Sequence, residues 1–216
     1  MREISGMVMV WHGPAGEIPW EIEEPETGPG WRAMRLRTAV VRTHPQEMTE
    51  NCVDIGHLIV LHGFDKVRVI DPFVTEGPRA RMRYAFSTTI PLIGSIDTEI
   101  RILVDGLGFS VVETKAAGWQ MRQLVVGTPI NEREVVVRAW TSVRGRGNSP
   151  LTRILWRPVD AILDRVLSHE MFAQLIRDEV IWERKKYLNR PALGAGDGPI
   201  SKFRVWCRQF YPDQTN

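Results

Sequence analysis

Cysteine is nearly absent: Cys52 and Cys207 are the only two in 216 residues. Two cannot build a disulfide scaffold or a four-cysteine zinc site. No C-x-H…C-x2-H pair occurs either, so this chain has no ligands for a [2Fe–2S] centre held by two Cys and two His. Lysine is scarce, 5 against 23 arginines, and the basic residues are scattered rather than run together. With a net charge of +2, nothing points to a nucleic-acid partner. No run approaches the roughly 18 apolar residues of a membrane span. Residues 1–14 lack a basic region followed by an apolar run and a small-residue cleavage site, so no secretory signal is read and the expected location is cytoplasmic. Internal repeats and low-complexity tracts are missing as well. The composition that remains, 43% hydrophobic and 25% charged, is that of an ordinary globular chain long enough for one large domain.

Met7 to Trp11 reads as a buried strand running into His12-Gly13-Pro14, and Glu17 to Gly30, rich in Glu, Pro and Gly, as a loop. Ala33 to Arg42 alternates in part and reads as a strand. Pro45 to Leu61 reads as the central helix, with Thr43 as N-cap and Gly63 closing it. Six further strands are expected at 66–70, 79–87, 99–104, 109–114, 119–126 and 134–140, with Asp105-Gly106 as a hairpin turn. Short connections argue for an antiparallel meander. The glycines of the loop from Arg144 to Pro150 lack the lysine and spacing of a phosphate cradle. From Leu151 to Lys186 apolar residues recur at helical spacing, and Pro158 is expected to break or kink that run, or to begin a new helix. Residues 193–199 read as a Gly-rich loop and 200–210 as a short terminal helix. One helix inside a strand series, followed by terminal helices, is an α+β layout.

The chemistry concentrates in Glu50-Asn51-Cys52-Val53-Asp54-Ile55-Gly56-His57-Leu58-Ile59-Val60-Leu61-His62. Asp54 and His57 are three apart and share a face on a helix. His57 and His62 diverge by roughly 140° on an ideal helix, too far to aim at one atom. Either His57 is a satisfied core histidine and His62 a polar helix end, or the helix is bulged or ending here and brings both rings onto one metal. Two His and one carboxylate would suit a non-haem iron that handles O2. Spacing alone does not choose the carboxylate among Asp160, Asp164, Glu170, Asp178, Glu179 and Glu183. His12, His44 and His169 read as structural or surface residues.

Asn51-x2-Asp54-x2-His57-x4-His62 resembles the iron-binding helix of Rieske-type non-haem iron oxygenases. Within them it is most similar to the oxygenase component of 3-ketosteroid 9α-hydroxylase and to the cholesterol 7-desaturases. The stretch Arg177-Asp178-Glu179-Val180-Ile181-Trp182-Glu183-Arg184-Lys185 resembles the D-x3-W-x2-K stretch of that family, and residues 189–199 and 204–211 resemble its steroid and sterol branch. Residues 6–12 with the following Pro-Trp loop resemble the point where the Rieske domain gives way to the catalytic domain, so the chain is expected to begin at a domain boundary.

The resemblance implies a helix-grip (START/Bet v 1-like) fold, an antiparallel sheet around a deep pocket with a central iron-binding helix and C-terminal helices. It implies one catalytic domain over 1–216: an opening strand and loop (1–32), a sheet with the metal helix at 45–62 (33–143), and C-terminal helices (150–211). It further implies that His57, His62 and Asp178 bind Fe(II), with Glu179 and Glu183 as fallbacks. Asp54 would accept a ligand-ring N–H and carry electrons from a Rieske [2Fe–2S] cluster, and Asn51 would lie near the iron outside its coordination sphere. The expected substrate is a sterol or steroid, with O2, in a pocket drawn from Ile55, Leu58, Ile59, Leu61, Met82, Phe86, Leu103 and Phe109. Since the chain lacks Rieske ligands, the cluster is expected on a separate subunit or domain served by a reductase, and a homo-trimer is implied. The alternative is a non-catalytic START-like module binding an apolar ligand. A weaker one is a hydrolytic zinc enzyme, because the same ligands suit zinc.

Overall fold

The chain leaves one edge of a sheet and re-enters it at the other, and that path decides where the functional residues lie. The computed structural model describes residues 1–13, 16, 18–25, 28–90, 94–145, 150–188, 190–194 and 196–211. Strands β1 (Arg2–Ile4) and β2 (Met7–Met9) pair with each other. Seven more form one antiparallel sheet: β3 (Arg35–Arg42), β4 (Asp65–Glu76), β5 (Arg79–Ile90), β6 (Gly94–Asp105), β7 (Phe109–Ala116), β8 (Trp119–Pro129) and β9 (Glu134–Arg144). Their order is β3-β9-β8-β7-β6-β5-β4. From β4 to β9 the chain is a meander, while β3 pairs with β9 on the far side. The connection from β3 to β4 must therefore cross the sheet, six strand spacings or about 29 Å.

Every strand read from the sequence is present: β4 to β9 run longer than expected, while the strand expected as buried over Met7–Trp11 stops at Met9 with Val8 and Val10 exposed. The strand expected at 66–70 is the 12-residue β4, whose pairing shifts register on both sides of Asp71. Pro72 falls in that irregular stretch, as it must on an edge strand. The central helix departs from expectation: it is two short helices, α1 (Pro45–Glu50) and α2 (Ile55–Val60). Asp54 is extended, and its carboxylate accepts from the backbone N–H of His57 at 3.1 Å. That capping bond competes with helix continuation and starts a new helix. The cap of α1 is His44 rather than Thr43: its Nδ1 accepts from the Gln46 N–H at 3.2 Å, while the Thr43 hydroxyl donates to the His44 carbonyl. Gly63, at φ +67°, closes α2 as expected, with Phe64 N–H donating back to Leu58 O at 3.1 Å.

Three helices follow: α3 (Pro150–Arg177), α4 (Glu179–Trp182) and α5 (Ile200–Cys207), the last running into a 3-10 turn at Arg208–Phe210. The expected interruption at Pro158 does not occur, and α3 passes through it as one helix. Pro158 and Ile154 are both exposed, so the carbonyl that loses its partner faces solvent. The loop residues 146–149 and residues 189 and 195 lie outside the described residues.

Side chains alternate between the two faces of the sheet. On the crossed face, Met82, Tyr84, Phe86, Ile100, Ile102 and Val104 pack beneath Phe203 and Trp206 of α5, together with Val53 and Leu58. Farther along, Val125, Val135, Val137 and Ala139 pack against Met48, Trp182 and the α3 residues Phe172, Leu175 and Ile176. Leu103 and Phe109 belong to a third cluster, with Leu124, Val111 and Met7. They point to the opposite face from Met82 and Phe86, so they cannot line the expected pocket. Ile59 and Leu61 are exposed, which removes them as well. In the first half of α3 the aliphatic residues face outward rather than into the core.

A buried ionic clamp ties the crossing segment to the C-terminal part of the chain. Glu50, 1% exposed, takes Arg204 through two hydrogen bonds of 2.6 and 2.8 Å and Lys185 Nζ at 2.8 Å. Lys185 also reaches Glu47 at 2.5 Å. Burial pushes the Glu50 carboxyl up, but the hydrogen bonds from Arg204 and Lys185 outweigh it and hold its pKa below the ordinary value. The clamp's contribution to stability is therefore whole above the ordinary carboxylate range and is lost as pH falls through the lowered folded pKa. Glu50→Gln should lower stability by about 3 kcal/mol, because two cations lose their buried anion. Urea unfolding at neutral pH checks this, and the deficit should shrink in acid.

Candidate metal centre

Helix α2 is bounded by the two ends that make the site. Its first turn presents His57, and its last helical hydrogen bond, Leu61 N–H to His57 O, is 2.8 Å. His62 comes one residue later, where the chain has left the helix and is turning through Gly63. The turn removes the roughly 140° divergence that an ideal helix would impose. The two imidazoles lie 5.1 Å apart between centroids, with planes at 76°. Helix termination, not a bulge, brings them together.

The third member arrives from the C-terminal helices. Asp178 stands at the junction of α3 and α4, 4% exposed, with helical backbone angles. Ligand atoms of His57, His62 and Asp178 all lie within 4.8 Å of one another, and among the described residues this is the one such group of His, Cys, Asp and Glu. The other helical carboxylates are engaged elsewhere. Glu179 accepts from the Arg42 backbone N–H at 3.2 Å and Glu183 pairs with Arg42 at 3.7 Å, so the two fallbacks face β3. Asp160 takes the indole N–H of Trp119, Asp164 takes Arg35, and Glu170 pairs with Arg177.

Hydrogen bonds around the group orient it. Asn51 Nδ2 donates to Asp178 Oδ2 at 2.8 Å, across 127 residues of chain. The other oxygen, Oδ1, is buried and has no hydrogen-bond partner; it lies 3.4 Å from His62 Nε2. His57 Nδ1 is 2.5 Å from the Asp54 carbonyl, which assigns the ring proton to Nδ1 and leaves Nε2 its lone pair. At Asp54 the group that meets the ring is the backbone carbonyl, while the carboxylate caps the helix through the His57 N–H. Behind His62, Phe64 stacks at 5.7 Å and lies in turn against Phe86 at 3.9 Å, an apolar wall.

Burial lowers the His57 pKa, and the nearby Asp178 and Asp54 carboxylates only partly offset it. The ring is thus neutral, as a metal ligand must be. Cys52 lies near Asp178, but burial pushes its thiol up to about 12, so it stays protonated and adds no thiolate. Two imidazoles and one carboxylate oxygen without a hydrogen-bond partner fit a divalent iron that keeps open positions. The Asn51 contact had no signal in sequence spacing. The motif D-x3-W-x2-K has a physical reading: Asp178 and Trp182, four apart, fall on one face at α4, and Lys185 follows where the chain has left the helix. Asp178 joins the histidines, Trp182 packs in the core, and Lys185 holds Glu50 beside Asn51.

Solved structures share this architecture. NdmA from Pseudomonas putida CBB5 with caffeine superposes with a TM-score of 0.57 at 14% identity, covering 86% of this chain and 55% of that one. Dicamba monooxygenase bound to 3,6-dichlorosalicylic acid gives 0.56 at 13%, covering 84% and 59%. A START superfamily protein from Mycobacterium smegmatis gives 0.51 at 12%, covering 70% of this chain and 97% of that one. The fold is that of Rieske oxygenase catalytic domains and of START proteins. Residues 10–211 match the model of the 3-ketosteroid 9alpha-hydroxylase C-terminal domain, and the chain belongs to that family. Cholesterol 7-desaturase nvd of Xenopus laevis is 26% identical over 235 residues, 99% of this chain and 50% of that protein. A 3-ketosteroid-9-alpha-monooxygenase oxygenase component of Rhodococcus rhodochrous is 25% identical over 240 residues, 98% of this chain and 56% of that protein. The chain thus spans about half the length of the curated relatives it matches. No helix among the described residues is long and apolar enough to cross a membrane.

In the metal-free protein the His57 ring should titrate below 6.5, the ordinary imidazole value. Its stabilising effect is whole above the unfolded pKa and is lost as pH falls from there toward the folded one. An NMR titration of the ring checks it; a midpoint above 6.5 would mean that the carboxylates outweigh burial.

Proposed function

We propose that this chain is the catalytic unit of a mononuclear iron oxygenase that hydroxylates or desaturates a sterol or steroid. The observation that carries the reading is the convergence of His57, His62 and Asp178, with a buried Asp178 oxygen left without a hydrogen-bond partner. A module that only held an apolar ligand would have no use for that oxygen, since an unpaired buried acceptor costs stability. Iron bound there supplies dioxygen activation, with electrons delivered singly by a Rieske [2Fe–2S] unit on another subunit or domain. Asn51 holds one oxygen of Asp178 and so aims the other at the histidines. The Asp54 carbonyl keeps His57 in one tautomer. Phe64, Phe86 and Leu58 form the apolar wall that keeps water from the group. The Asp54 carboxylate, at the partly exposed start of α2, faces the docking Rieske unit.

Anaerobic reconstitution should load about one Fe(II) per chain, and His57→Ala or His62→Ala should abolish loading. Full iron in both variants would sink the assignment. The protein alone should show no Rieske absorption or resonance signal.

The two aspartates should part in a second experiment. Asp178→Ala removes the anionic ligand and should lose most of the metal. Asp54→Asn keeps the carbonyl, and asparagine also caps helices, so iron affinity should fall by no more than ~10–100-fold and saturate with excess Fe(II). That variant should fail to form product when a Rieske-bearing partner and reductase are supplied. Iron stoichiometry beside product formation reads both, and wild-type turnover by Asp54→Asn would mean that electrons do not pass this helix.

A further inference from the structure

A helix laid on a sheet ordinarily turns its aliphatic residues inward and its acids outward. The first part of α3 does the reverse. Leu151, Ile154, Leu155, Ile162 and Val166 are 79%, 66%, 75%, 65% and 56% exposed, while Asp160, Asp164 and Ser168 are 7%, 1% and 1% exposed. The cause lies beneath the helix, where Arg35 meets Asp164 at 2.5 Å and the Trp119 indole donates to Asp160 at 2.9 Å. At about 100° per residue, Leu151, Leu155, Ile162 and Val166 fall within a sector of roughly 60°, with Ile154 to one side. They form an outward aliphatic stripe about 22 Å long.

We propose that this stripe docks the protein on an anionic phospholipid surface, with α3 lying flat in the boundary between headgroups and acyl chains. Charge selects that occupant. From 150 to 169 the helix exposes Arg157 and Arg165, and its only acids there are the buried Asp160 and Asp164. Arg165 borders the stripe, where its aliphatic stem can lie along lipid while the guanidinium meets a phosphate. A second copy fits worse, because two-fold pairing gathers the arginines of both chains, while the exposed acid of α3, Glu170, already pairs with Arg177. Because α3 is not apolar enough to span a bilayer, it lies along the surface. The inference is independent of the metal reading.

The test is cosedimentation of the whole chain with vesicles of phosphatidylcholine containing phosphatidylserine, beside phosphatidylcholine alone, with light scattering of the free protein. Wild type should pellet with the anionic vesicles and less so as salt is raised. Leu155→Gln combined with Ile162→Gln changes only exposed positions and should weaken binding about tenfold or more with the helical circular dichroism unchanged. Arg165→Gln should weaken it about fivefold on anionic vesicles. The proposal is overturned if wild type stays in the supernatant, or if the double variant binds like wild type. It is also overturned if wild type is a dimer that the double variant dissolves, with neither pelleting.

Discussion

Strands β3 and β4 occupy opposite edges of one sheet, so the residues between them must travel across its face. That constraint places α1 over β8 and β9, through Met48, and brings α2, through Leu58, to the apolar floor made by β5 and β6. It also leaves a gap that only later chain can cover. Helices α3, α4 and α5 close over the same face, and Glu50, held by Lys185 and Arg204, locks the crossing segment to them. The metal-binding group lies where the crossing and the cover meet. Each histidine is set by an end of α2, and Asp178 by the joint between α3 and α4. Nothing in the group depends on one long rigid helix.

The electrostatics repeat that division of labour. Acids near the site are placed by what faces them. Glu50 is charged because two cations bond it. Asp54 caps α2, Asp160 and Asp164 are drawn inward by Trp119 and Arg35, and Asp178 keeps one oxygen for the histidines because Asn51 takes the other. Burial, meanwhile, keeps His57 neutral and Cys52 a thiol.

The sheet was legible in the sequence because alternation reports a half-buried strand directly, and Asp105-Gly106 marked its hairpin. The break at Asn51–Asp54 was not, since an aspartate at a new helix start looks the same in sequence as one on a continuous helix face. The histidine pair was legible as a pair, but its convergence depended on a helix ending at Gly63. Asp178 was legible only through resemblance, because nothing in local spacing links it to residues so far away. The outward apolar face of α3 was not legible for a plainer reason: periodicity says that a helix has an apolar side without saying which side is turned inward.

The strand order also sets a sequence of events in time. Each strand from β4 to β9 pairs with its neighbour in the chain, so the meander can form by local encounters, whereas β3 must wait for β9. Asn51 and Asp178, 127 residues apart, meet only after that closure. During synthesis the histidines leave the ribosome long before the aspartate that completes their group. A nascent chain therefore presents two imidazoles and no centre, and the complete set of donors exists only when the C-terminal helices have folded back over the sheet.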